Sequence, residues 1–141
     1  MTTPSRANGL RIDAVRNVER IVSAAEEVFA RAGSNASMDD IAAAAGLGIA
    51  TVYRRFPSKE QLLNAVLDRR FDHVVVSALR RSGDIADPRE AMRVALEGAV
   101  LFVVEVPNTI DAASRNELMT LDLANRFFAP LGDILAARSE S

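Results

Sequence analysis

The chain has no cysteine and no tryptophan, and only one histidine, His73, and one tyrosine, Tyr53. Without cysteine there is no disulfide framework, no thiolate metal site and no thiol nucleophile. His73 has no second ligand type clustered near it in sequence, so it reads as an ordinary core or surface histidine, and neither a metal nor a cofactor is expected. No glycine-rich phosphate loop occurs, and no carboxylate pair stands near a nucleophile, so an enzyme is not expected. Long apolar runs are also missing. Runs such as Gly98 to Val104 fall far short of the roughly 18 residues of a membrane span, and the start, MTTPSRANGLR, lacks the apolar core of a signal peptide. The expectation is a soluble protein with no membrane partner, and a cytoplasmic location is compatible with the lack of cysteine. There is no excess of positive charge, with 17 Lys or Arg against 19 Asp or Glu, a net charge of −2 and a pI near 5.4, which argues against indiscriminate binding to nucleic acid.

What is present is helical. The 141 residues are 49% apolar but only 5% aromatic, and alanine-rich helical spacing dominates, so the expected class is all-α with a sizeable core. The charge is unevenly placed. Residues 1–70 hold ten Arg or Lys against eight Asp or Glu, and residues 71–141 hold seven against eleven, leaving +2 and −4. The N-terminal half is the one suited to a phosphate backbone.

The densest pattern is SMDDIAAAAGLGIATVYRRFPSK, Ser37 to Lys59. Ser37 with Asp40 three residues on resembles a capping box and places a helix start at Met38. Ile41, Ala42 and Ala45 recur at helical spacing, and Gly46 supplies the positive-φ stop. After a turn of about Gly46 to Gly48, a two-turn helix fits Ile49 to Phe56, closed by Pro57 and Ser58. Two short helices about a tight glycine turn predict a helix-turn-helix. Ile49, Ala50, Thr51, Tyr53, Arg54 and Arg55 would face a groove, with Val52 and Phe56 turned to the core. Between Gly48 and Lys59 there are three basic residues and no acid, and Lys59, in the first turn of the next helix, is placed to clamp a phosphate.

Together with the preceding RNVERIVSAAEEVFARAGSNASMDDIAAAA, the run AGLGIATVYRRFPSKEQLL resembles the N-terminal domain of TetR-family transcriptional regulators over roughly residues 11 to 75. The resemblance implies that Thr51, Tyr53, Arg55 and Lys59 contact phosphates and that Gly48, Ile49 and Ala50 approach base edges, with Ser37 counted in the same DNA-binding set. Ile49 and Ala50 can touch only a thymine methyl, so base reading would lean on Arg54 and on DNA shape. It further implies a homodimer on double-stranded DNA, and a small apolar ligand held among the later helices by Phe102, Val106, Met119 and Phe127, residues that helical spacing alone explains as core.

In chain order, residues 1–11 read as a flexible arm, and Arg16 and Arg20 as candidates for backbone contact or a solvated face. Residues 12–57 form the helix-turn-helix domain, with a first helix from about Ile12 to Ala32 whose Val28 and Phe29 pack on Ile41, Val52 and Phe56. Residues 58–141 form a partial helical bundle with the regulatory role. Ser58 and Gln61 cap a long helix to about Leu79. Asp87, Pro88 and Glu90 start another, to about Glu105, which is apolar on all sides between Gly98 and Val104 and so is expected at the centre of a bundle. A last helical region begins near Ser114, with Pro130 expected to kink or divide it. TetR-like chains typically continue through further dimer-forming helices, so a chain ending at Ser141 is expected to be short or to dimerise differently. The expected function is a ligand-responsive repressor on a palindromic operator. The alternative is a helical ligand-binding or interaction protein that keeps the helix-turn-helix as scaffold.

Overall fold

The computed structural model describes residues 6–105 and 117–139. Every regular element among them is helical: α1 (Arg6–Ala32), a 3₁₀ turn (Gly33–Asn35), α2 (Met38–Ala45), α3 (Ile49–Arg55), α4 (Lys59–Phe71), a π-helical turn (Asp72–Val76), α5 (Ser77–Gly83), α6 (Pro88–Glu105) and α7 (Glu117–Ser139). The chain divides into two compact units, Met1–Val66 and Leu67–Ser141. The division falls inside α4, beyond its cap at Ser58, so the first turns of α4 belong with the helix-turn-helix.

In the first unit α1 buries Ile21, Val22, Ala25, Val28 and Phe29. These share the core with Met38, Ile41, Ala42 and Ala45 of α2, Val52 of α3, and Leu62, Leu63 and Val66 of α4. Phe29, Ile21, Ile41, Leu62, Val66 and Val52 are sealed from solvent; truncating a buried phenylalanine such as Phe29 to Ala costs about 3–5 kcal/mol. Phe56 is only half-buried. The expected arm is partly a correction: α1 begins at Arg6, not at Ile12. Arg6, Ala7, Leu10 and Arg11 are good helix formers, and extending a nucleated helix is far easier than starting one. Leu10 and Val15 continue the apolar stripe past the core and stand exposed.

In the second unit the expected single helix to Leu79 is helical to Gly83 but passes through the π turn at Asp72–Val76. One widened turn leaves the apolar spacing on either side intact, so periodicity could not mark it. The turn faces α6 at Gly98. A Cβ there would collide with that of Ala78 and lie 3.3 Å from the carbonyl oxygen of Val74, so the two helices touch where a side chain is absent. Phe71 and Phe102 meet edge to face at 5.6 Å between ring centroids. Arg126 of α7 lies over the Phe71 ring at 4.6 Å and donates to Asp68 and, at 2.8 Å, to Asp72.

Two further expectations are corrected. Helix α6 buries one stripe only, Ala91, Ala95, Gly98 and Phe102, while Leu96, Val100, Leu101, Val103 and Val104 are 46–65% exposed. An all-round apolar composition names no face. Burying the second would take another element, and the described residues bring none onto it. Of the kink or division expected at Pro130, the division does not occur: α7 runs unbroken from Glu117 to Ser139. Pro130 is exposed, so the carbonyl whose partner it removes can turn to water.

Candidate nucleic-acid interface

The site is built from local chemistry. Ser37, extended at φ −109° and ψ 154°, accepts the Asp40 N–H on its hydroxyl oxygen at 3.1 Å and starts α2. Gly46 ends it in the left-handed region at φ 65° and ψ 35°, a conformation that costs a side-chain-bearing residue on the order of 1 kcal/mol. The Gly46 and Leu47 amides then donate back to Ala43 and Ala42 at 3.1 Å each, closing two of the carbonyls a helix end leaves open. Gly48 is the N-cap of α3, its carbonyl accepting from Thr51 at 3.0 Å and Val52 at 3.3 Å.

Helix α3 turns Val52 fully into the core. That orientation leaves Ile49, Ala50, Tyr53 and Arg54 on one strip of the helix, since positions i, i+1, i+4 and i+5 share a face. All four are exposed, as are Gly48 and Arg55, while Thr51 is half-buried. Thr51 and Arg55, four apart, flank the strip. The strip thus presents two short apolar side chains, a phenol and a guanidinium, with a second guanidinium at its edge.

Two predicted contact residues have partners inside the protein. Lys59, placed by the Ser58 cap that accepts the Gln61 N–H at 3.2 Å, donates from its ammonium to the carbonyl oxygens of Ser34 and Ala36, both at 3.0 Å. An ammonium carries three donors, so one more acceptor can be served. Ser37 acts as the α2 cap described above. Sequence reasoning offered Arg20 as a backbone contact or a solvated residue and missed its internal partners: its guanidinium donates to the Ala45 carbonyl at 2.8 Å and to that of Gly46 at 3.3 Å. The signal available was a glycine-ended helix in need of a cationic cap, but not where the cation would come from.

Of the four residues expected to hold a ligand, two fall among the described side chains. Phe102 and Phe127 are buried, Val106 lies outside the described residues, and so does the side chain of Met119. A groove of about 490 Å³ in this unit is lined by Arg93, Leu96, Glu97, Val100 and Leu101 on the outer side of α6, and neither phenylalanine lines it. Among the described residues no group of three or more His, Asp or Glu is placed to hold a metal, and no helix is long and apolar enough to cross a membrane.

Residues 21–66 match the bacterial regulatory proteins of the tetR family. An HTH-type transcriptional regulator of Staphylococcus aureus (strain bovine RF122 / ET3-1) is 31% identical over 97 residues, 68% of this chain and 52% of the relative. A second, from S. aureus strain USA300, is 32% identical with the same coverage. The chain therefore spans about half the length of the S. aureus regulators it matches. It is also similar to the crystal structure of a TetR transcription regulatory protein from Mycobacterium vanbaalenii, at 34% identity and a TM-score of 0.68, covering 93% of this chain and 80% of that one.

Proposed function

The chain belongs to the TetR family of bacterial transcription regulators, and from that premise we propose that it is a cytoplasmic, ligand-responsive repressor that binds a palindromic operator as a homodimer. The observation that carries the reading is the exposed strip of α3, held by a core-facing Val52 and set in a stretch without acids. Laid in a major groove, Arg54 is the side chain able to pair bidentately with a guanine, while Ile49 and Ala50 offer apolar contact to thymine methyls. Thr51, Tyr53, Arg55 and the remaining donor of Lys59 reach phosphates and set the register. Two heads reading successive major grooves require half-sites about 34–36 Å apart. Arg55 and Lys59 on each head give four neutralising cations, so the slope of log affinity against log salt is about −3.6. The regulatory ligand is a small apolar molecule taken up by the second unit near Phe102 and Phe127.

A second reading, an interaction protein that keeps the helix-turn-helix as scaffold, is favoured by the apolar outer side of α6, a surface suited to protein contact. Selection from a pool of random duplexes, followed by the mass of the selected complex, separates the two. A palindrome carrying two chains supports the repressor. No enriched sequence, or one chain per duplex, puts the scaffold reading first.

A further inference from the structure

One cation of α1 reaches across to the turn of the helix-turn-helix. Arg20 stands on α1 one residue before Ile21, which is fully buried, so its backbone is anchored by the core. Its guanidinium crosses to the end of α2, where the Nη2 group donates to Ala45 and Gly46. The Gly46 and Leu47 amides already satisfy Ala43 and Ala42. Arg20 serves two carbonyls further along, those of Ala45 and Gly46, and its positive charge sits at the negative end of the α2 dipole. Gly46 makes this approach possible in a second way: a Cβ there would lie 3.1 Å from Nη2, so the glycine gives clearance to the guanidinium as well as the left-handed turn. Two residues further on, Gly48 begins α3. The carbonyls that Arg20 grips thus belong to the hinge from which the reading helix departs.

Arg20 is exposed, at the edge of a groove between α1 and α2 of about 360 Å³ that also carries Glu19 and Glu27. Two roles compete for such a residue. A phosphate contact would add to affinity for any duplex, whereas a tie to the hinge would add only where the angle of α3 matters. The geometry favours the second, because the donor aimed at the hinge is already committed to two carbonyls, and two acidic neighbours line the same groove.

We propose that Arg20 is a positioning residue for operator readout: by tying α1 to the carbonyls of Ala45 and Gly46 it sets the angle at which α3 meets base edges. The proposal rests on the DNA-reading role of α3. It assigns to Arg20 discrimination between sequences, with little share in backbone affinity.

The test compares the full wild-type chain with Arg20→Gln and Arg20→Lys. Affinity is measured for the best duplex that the wild type selects from a random pool and for an unrelated duplex of equal length, across roughly 50–200 mM salt. Arg20→Gln is expected to lower the ratio of the two affinities about tenfold, the order of one lost base contact, with an unchanged salt slope on the unrelated duplex. Arg20→Lys recovers part of the ratio, since an ammonium can hold one carbonyl but lacks the fork. A slope reduced by about 0.9 per head makes Arg20 a phosphate contact and overturns the proposal. So does an unchanged ratio, even with a lowered melting temperature, because a residue that only stabilises does not alter discrimination. Amide hydrogen exchange at Gly46, Leu47 and Val52 is followed in parallel. Faster exchange in Arg20→Gln supports the tie, and unchanged exchange overturns it. If the wild type enriches no duplex, the DNA-reading role itself fails, and the exchange still reports whether Arg20 holds the hinge, so the two failures are distinguished.

Discussion

Replacing Lys59 with Met keeps most of the side chain's apolar stem while removing the ammonium that bridges to Ser34 and Ala36. The two bonds lost are not equal. The Ser34 contact is exposed and the Ala36 contact partly buried, and Ala36 itself is 2% exposed, so its carbonyl is the poorer of the two at finding water. Charge-assisted bonds in solvent-shielded sites contribute about 1.5–3 kcal/mol and exposed ionic contacts well under 1. Discounting for the half-buried position of Lys59, the loss is about 1–2 kcal/mol. For a chain of 141 residues that corresponds to a fall in Tm of about 3–10 °C, read by thermal unfolding in moderate salt. If the third donor also meets a phosphate, the salt slope of duplex binding falls by about 0.9 per head. The two readouts separate the internal role from the external one. A wild-type Tm with a reduced slope would refute the bridge and leave Lys59 a plain phosphate clamp.

Four other outcomes follow from the same reasoning. Gly98→Ala overpacks the contact with Ala78 and should cost about 1–3 kcal/mol in chemical unfolding; Ala78→Gly in the same chain should recover much of it, and strict additivity of the two changes would argue against the contact. Ser37→Ala removes the α2 cap and should destabilise by about 1 kcal/mol, with operator affinity below the melting transition nearly unchanged if Ser37 does not touch DNA. Tyr53→Phe deletes a hydroxyl from the exposed strip and should weaken duplex binding without lowering Tm. Hydrogen bonding from Arg93 holds the Glu90 carboxyl below its usual value of 4.5, so its contribution to the first turn of α6 is present above the unfolded pKa and lost as pH falls through the folded one. A carbon-detected NMR titration should place Glu90 below 4.5, and Arg93→Gln should move it back.

How far these features are legible from the residues depends on the distance over which they act. The Ser37 cap, the Gly46 stop, the short α3 and the start of α6 at Pro88 are decided within four residues of one another, by side chains that satisfy or release nearby backbone groups. All were readable in order. The exposure of Ile49, Ala50, Tyr53 and Arg54 follows from one buried residue, Val52, and the helical period. Arg20 and Lys59 were not readable in this way. Their partners lie more than 20 positions along the chain, and a long cation near a basic stretch looks the same whether it meets a phosphate or a carbonyl.

By itself, the sequence determined that the protein is all-helical, where α2 and α3 begin and end, and which strip of α3 faces outward, because caps, glycines and apolar spacing act through the chain's own local geometry. Tertiary structure alone decided that Arg20 and Lys59 tie the reading unit together, that α6 buries one stripe and exposes another, that the helix after Phe71 widens into a π turn beside Gly98, and that α7 runs through Pro130. Each of these depends on which surface another helix brings near, and that proximity is set by packing across the unit, which no spacing along the chain encodes.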